Sequence, residues 1–291
     1  MLQKITRDIL KNIYKPRPQQ SKKYDFGLLV VIGGSQFYSG SPALSALAAF
    51  RAGVDMVRIL APKRPADIIA SFSPDLATFP LKGDYLDKDD VADLVALTRE
   101  AQEVSNNKTA VVIGGGIGRS EATKEAVREF LSQIDTPVVI DADGIHAVAG
   151  VPSLVAGRNF LLTPHLYEFF ALTGSVVAGL ALEQQAVIAQ EQALRFQTTI
   201  VLKGRNDIIA GSDGKTVAIN ETGTPLMAKG GTGDTLAGIA GAILARGLDT
   251  FTAGCAAAYI NGRAGELAAK KYGESLMATD VIKEILEAIR I

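Results

Sequence analysis

Short apolar runs alternate with amphipathic stretches along most of this chain. Residues 26–32, 109–113, 137–140, 159–162 and 199–202 are rich in Val, Ile and Leu, and each run stops at a glycine-rich or polar turn. Runs of that length and composition predict buried strands, and residues 55–60 predict another. Residues 42–51, 91–103, 121–131, 183–197 and 236–246 carry the spacing of helices. Continuous apolar strands alternating with helices predict a three-layer α/β fold, a mostly parallel central sheet flanked by helices. Residues 208–210 and 216–219 flank Asp213-Gly214 and predict a hairpin. No linker, repeat or low-complexity tract interrupts the pattern. One domain over 1–291 is expected, with residues 1–24 as an extension packed on or near it.

Composition narrows the class. Lys and Arg number 30 against 31 Asp and Glu, so nothing points to nucleic acid or an acidic membrane as partner. The one cysteine, Cys255, excludes an intrachain disulfide and reads as a small core residue. No apolar run reaches the length of a membrane span, and residues 1–23 lack a signal-peptide core. The expected location is the cytoplasm. With only two histidines, a zinc site is not expected.

The chemically capable residues collect at the carboxyl ends of the predicted strands. Ser35, the glycines between 114 and 118, Asp141, Asp143, His165, Glu168 and Lys203 all lie there. Open α/β sheets bind ligands at that edge. Lys229-Gly230-Gly231-Thr232-Gly233-Asp234-Thr235-Leu236-Ala237-Gly238 is the most informative segment. Its glycines permit close backbone approach, and a helix start behind them offers unpaired N–H groups to phosphate. Asp234 reads either as a base for a hydroxyl that attacks that phosphate or as a helix cap. His165 could contact a ligand or satisfy a backbone carbonyl. Glu168 could hold Mg²⁺ through water or favour the first turn of a helix. Lys203-Gly204 could hold phosphate or shape a turn, and His146 reads as structural. Gly214-Lys215-Thr216 lacks the leading glycine of a P-loop, and Gly114-x-Gly116 lacks the third glycine of a dinucleotide fingerprint.

The Gly-Thr-Gly-Asp element resembles the anion hole and catalytic base of the ribokinase-like superfamily. Residues 32–44, Arg51 to Val57, Gly114 to Gly118, Asp141 to Ile145, Leu162 to His165 with Glu168, Leu202 to Gly204, Met227 to Gly238 and Ala278 to Asp280 are similar, in order, to the ADP/ATP-dependent NAD(P)H-hydrate dehydratases. The similarity spans about residues 25 to 290. It departs from that family's usual pattern at Ser41, Gly115, Leu166-Tyr167, Lys229 and Asn261. The resemblance implies a ribokinase-like fold and an enzyme that repairs hydrated NADH or NADPH with ADP or ATP and Mg²⁺. It implies Asp234 as base, with the amides of Gly231, Thr232 and Gly233 for the developing phosphate charge. Lys203, Gly204, Arg205, Asn206, Asp207 and Gly233 would line the nucleotide. Ser41, Gly116, His165 and Asp234 would face the hydrated dinucleotide. A homo-oligomer and a separate epimerase for the hydrate are expected. A small-molecule kinase of the same superfamily, or a non-catalytic nucleotide binder, remains the alternative.

Overall fold

The apolar strands sort their side chains by parity. The computed structural model describes residues 2–290. The first half runs β1 Gln3–Lys4, α1 Ile9–Ile13, β2 Leu28–Ile32, α2 Gly40–Arg51, β3 Met56–Pro62, α3 Lys63–Ala70, β4 Ala77–Leu81, α4 Val91–Val104, β5 Thr109–Ile113 and α5 Glu121–Ser132. The second runs β6 Val138–Ile140, α6 Asp143–Val148, β7 Phe160–Leu162, α7 Leu166–Thr173, α8 Leu182–Phe196, β8 Thr199–Leu202, β9 Asp207–Ala210, β10 Val217–Asn220, α9 Thr232–Ala245, α10 Thr250–Tyr272 and α11 Ala278–Ala288. In β2, Leu28, Val30 and Ile32 pack into one core while Leu29 and Val31 pack into the other. Helices α2, α9, α10 and α11 cover the second face, and α4 to α8 the first. Both faces being dry is why these strands carry no polar alternation.

The sheet order is β1-β10-β9-β8-β7-β6-β5-β2-β3-β4. Strands β4 through β8 of that order, with β2 among them, are parallel, and β9 and β10 form the predicted antiparallel hairpin. The chain winds outward from β2 in both directions, since β3 lies on one side and β5 on the other. That reversal opens a crevice at the carboxyl ends of β2 and β5. Two glycine loops meet there, where the N–H of Gly34 donates to the carbonyl of Gly115 (2.8 Å).

Several features lie outside the predicted elements, among them α3, α10 and α11, and three show why. β1 is only two residues long and pairs with β10, while α1 behind it buries Leu10 and Ile13. β4 is a half-exposed edge strand containing Pro80, so it shows no clean period. Helix α9 begins at Thr232, four residues before the predicted start at Leu236. Thr, Gly and Asp are weak helix formers, yet packing of α9 on α2 overrides that preference. The contact is close enough that a Cβ at Gly238 would meet the Ser45 carbonyl at 2.1 Å.

Candidate active site

Gly231 turns the chain into α9. Its φ of +97° is open to glycine, and a Cβ there would strike Leu44 and Ala278. Thr232, Gly233 and Asp234 are the first three helical residues, and the first intrahelical bond runs from Thr235 N–H to the Gly231 carbonyl (3.1 Å). The three N–H groups before it have no partner inside the helix, the arrangement a candidate anion hole requires. This turn is braced from three sides. Thr232 Oγ1 donates to the Met227 and Lys229 carbonyls (2.8 and 3.0 Å). Asn261 Nδ2 donates to the Thr232 carbonyl (3.1 Å), and its Oδ1 accepts from Thr235 Oγ1 (2.6 Å). Ser45 Oγ donates to the Asp234 carbonyl (3.0 Å). The departure at Asn261 therefore has a structural task, tying α10 to the first turn of α9.

Asp234 does not use its carboxylate to cap the helix. Oδ1 accepts from Ser41 Oγ across 2.7 Å, from the start of α2. Burial and then the nearby Asp141 carboxylate push the Asp234 carboxyl up to about 6, with Glu168 adding to the rise and Ser41 and Lys203 opposing it. A carboxylate with that pKa is poised to take a proton near neutrality. The glycine loop after β5 closes over the same group. A Cβ at Gly115 would sit 3.0 Å from Asp234 Oδ1 and 3.0 Å from Ser41 Cβ.

Below α9 lies a buried ionic cluster. Lys203, at the end of β8, donates to Asp141 Oδ1 at the end of β6 (2.7 Å), and Glu168 Oε2 stands 4.0 Å from its ammonium. Thr163 Oγ1 also donates to Asp141 Oδ1 (2.6 Å). Desolvation draws the Lys203 pKa down, but Asp141, Glu168 and Asp234 outweigh it, so the ammonium is held charged. A Cβ at Gly233 would lie 3.3 Å from that ammonium, which places the cation directly beneath the first turn of α9. Lys203 is thus a cation paired with Asp141 and placed within reach of the open amides of α9. Asp141 was visible at a strand end, but its bond to Lys203 joins strands separated by β7 and has no sequence signal.

The other predicted residues divide. His165 caps α7, its Nδ1 accepting from the N–H groups of Tyr167 and Glu168 (both 3.2 Å). Those two donors place the ring proton on Nε2, which faces Glu168 Oε1 (3.3 Å). The ring is still half exposed at the crevice edge. Glu168 completes the cap by accepting from His165 N–H (2.9 Å). Gly204, Arg205 and Asn206 form the turn between β8 and β9. Asp207 shapes that turn, accepting from Gly204 N–H (3.1 Å) and Asn220 Nδ2 (3.0 Å). Gly116, with φ of +69°, backs onto Tyr38 beside Ser41. His146 lies in α6 with its Nε2 buried and unpartnered.

Among the described residues no group of three or more His, Cys, Asp or Glu is arranged to hold a metal ion. Glu168 carries lone pairs beyond its cap contacts, and the Lys203 ammonium already neutralises Asp141. This donor set fits an ion brought in on phosphates and touched through water, rather than a protein-only cage.

Comparison with known proteins agrees with this geometry. The family described as NAD(P)H-hydrate dehydratase matches residues 29–287. A bifunctional NAD(P)H-hydrate repair enzyme of Pyrobaculum aerophilum is 42% identical over 94% of this chain and 52% of its own length. The chain spans about half the length of such bifunctional relatives. An ADP-dependent (S)-NAD(P)H-hydrate dehydratase of Nitrosopumilus maritimus is 34% identical over 97% of this chain and 94% of its own. The ADP/ATP-dependent NAD(P)H-hydrate dehydratase of Bacillus subtilis, co-crystallised with ATP and Mg²⁺, superposes with a TM-score of 0.80 at 28% identity, covering 99% of this chain and 97% of that one. The layer order is the ribokinase-like one. The family match over residues 29–287, and the identity to a relative covered over nearly its whole length, make the chain, with its carboxylate at the first turn of a glycine-started helix, a member of the NAD(P)H-hydrate dehydratase family.

Proposed function

We propose that this chain dehydrates hydrated NADH and NADPH in the cytoplasm, using the terminal phosphate of ADP or ATP. The observation that carries the reading is the Asp234 carboxyl, lifted to about 6 and held by Ser41 beside the open amides of α9. Ionised Asp234 takes the proton of the ring hydroxyl as its oxygen attacks the terminal phosphorus. The bond to the leaving AMP or ADP breaks in the same displacement. The N–H groups of Gly231, Thr232 and Gly233, with that of Asp234 behind them, receive the developing phosphate charge, with Lys203 beneath them. The ring nitrogen lone pair then expels phosphate, which carries away the former hydroxyl oxygen. Loss of a proton from the neighbouring ring carbon restores the double bond. Magnesium, when bound, neutralises the nucleotide phosphates, and Glu168 is the carboxylate assigned to it through water.

The nucleotide is assigned to the turn from Lys203 to Asp207 and to Gly233, with Asp207 acting through the shape of the turn. Ser41, Gly116 and His165 line the hydrated ring. ADP as co-substrate is supported by full-length relatives named ADP-dependent, and ATP by the Bacillus neighbour. A homo-oligomer, and a link to an epimerase that interconverts hydrate epimers, complete the proposal; relatives named bifunctional support the link. The test supplies hydrated NADH with ADP or ATP and follows NADH absorbance and phosphate release together. Equal yields of both are expected. A stable phosphorylated product without NADH would make the chain a small-molecule kinase.

A further inference from the structure

One side of the crevice is lined with exposed aromatic rings. Phe37 and Tyr38, in the loop from β2 to α2, are 76% and 62% exposed. The loop is nonetheless fixed. Ser35 and Tyr38 exchange backbone bonds (2.9 and 3.0 Å), Gln36 N–H donates to the Asp84 carbonyl (2.8 Å), and Arg64 Nη1 donates to the Gln36 carbonyl (2.6 Å). Phe37 meets Tyr85 edge to face, with centroids 6.5 Å apart. Tyr85 in turn stands over Gly118, where a Cβ would lie 3.7 Å from its ring. Beyond it opens a cavity of about 290 Å³ lined by Tyr85, Asp87, Gly118, Arg119, Ser120 and Thr123 among others. The rim is continuous with the base, because Tyr38 packs on Gly116 and the next residue, Gly115, adjoins Asp234 Oδ1. Large apolar groups held rigid in water beside a reaction centre point to a ligand.

We propose that Phe37, Tyr38 and Tyr85, with the adjoining cavity, bind the adenosine end of the hydrated dinucleotide. The inference rests on the dehydratase reading above. Only the hydrated ring reaches Asp234, and the nucleotide co-substrate takes the side of Lys203 and the 203–207 turn. The far half of the dinucleotide therefore leaves over the glycine loop, where the aromatic rim lies. The lining selects a nucleoside over a phosphate. Its one cation, Arg119, gives Nε to Asp143 Oδ1 (2.6 Å), and Asp87 adds a negative charge. Aromatic faces stack on a purine, and Asp87, whose Oδ1 is taken by Asp89 N–H, keeps Oδ2 to accept from an amino group.

The test compares wild type with Phe37→Ala and Tyr85→Ala on two substrates, hydrated NADH and hydrated reduced nicotinamide mononucleotide, which lacks adenosine. Each variant should raise KM for the dinucleotide by about five- to a hundredfold, the range of a lost base–aromatic stack. Its kcat on either substrate and its KM for the mononucleotide should stay at wild-type values, since the reacting ring is untouched. Variants that match wild type on the dinucleotide, or that weaken both substrates equally, would overturn the subsite alone. Wild-type protein that regenerates the reduced ring from neither substrate would overturn the dehydratase reading, and the subsite with it.

Discussion

Asp234 and Asp207 are two half-buried aspartates whose carboxyl groups are both pushed up to about 6, in each case first by desolvation. Their surroundings differ. Asp207 is met on both oxygens by fixed donors, Gly204 N–H and Asn220 Nδ2, inside a hairpin turn. Asp234 has one side-chain partner, Ser41, and stands beside unpaired helix amides with two further carboxylates nearby. The first arrangement immobilises a turn. The second leaves an oxygen free to take a proton next to open helix amides. A raised pKa alone therefore does not mark the base; the partners do.

The sharpest way to break the contrast is Asp234→Asn. The amide keeps the size and can accept from Ser41, but it cannot act as a base. NADH regeneration should fall by on the order of a hundredfold or more. The variant should also be more stable at neutral pH. The folded-state pKa lies above the ordinary 3.8, so the native form holds its proton more tightly. The contribution of Asp234 to stability is then full below about 3.8 and is lost as pH rises through about 6, a difference of roughly 3 kcal/mol. Thermal melts at pH 7.5 should show Asp234→Asn above wild type. Near-normal turnover in this variant would end the assignment of the base.

Lys203→Met should come next. Removing the ammonium leaves Asp141 buried without its ion-pair partner, which costs about 3–5 kcal/mol. Calorimetry should show nucleotide affinity weakened by about tenfold or more, as a charge-assisted phosphate contact is lost. Unchanged affinity with a lowered melting temperature would confine Lys203 to holding Asp141.

Ser41→Ala sharpens the comparison instead of breaking it. Its hydroxyl favours the ionised form of Asp234, so removal should move the acidic limb of kcat/KM to higher pH, by up to about one unit. Turnover at pH 6 should fall while turnover at pH 8 stays close to wild type. An unmoved limb would make the Ser41 bond incidental to the base. Asp207→Asn is the smallest effect expected. Its carboxylate has no part in the proposed proton transfer, so kcat should change by less than about threefold, with any loss appearing in KM for the nucleotide. A large fall in kcat would erase the distinction between the two aspartates.

Much of the frame was legible because its causes are local. Runs such as Leu28 to Ile32 and Thr109 to Ile113 are apolar without alternation, and that alone places them inside a sheet covered on both faces. The glycines before Asp234 marked a close approach, and α9 indeed starts on a left-handed Gly231. What the pattern missed was set at a distance. The Ser41–Asp234 bond joins residues 193 apart. The His165 and Glu168 cap was anticipated only as a first-turn charge, because reciprocal capping by a histidine ring is rare enough to carry no pattern.

By itself the sequence determined the strands, the glycine-started helix and the type of chemistry, since backbone freedom and hydrophobic period act between near neighbours. Only the tertiary structure decided which of the strand-end residues act together. The reversal at β2 brings the glycine loops after β2 and β5 into contact, and α2 and α9 are pressed close through Gly238. That packing carries Ser41, Asp141, Glu168 and Lys203 to the carboxylate of Asp234. Charge and desolvation act through space, so the raised pKa that suits Asp234 to the proposed role of base exists only once the chain is folded.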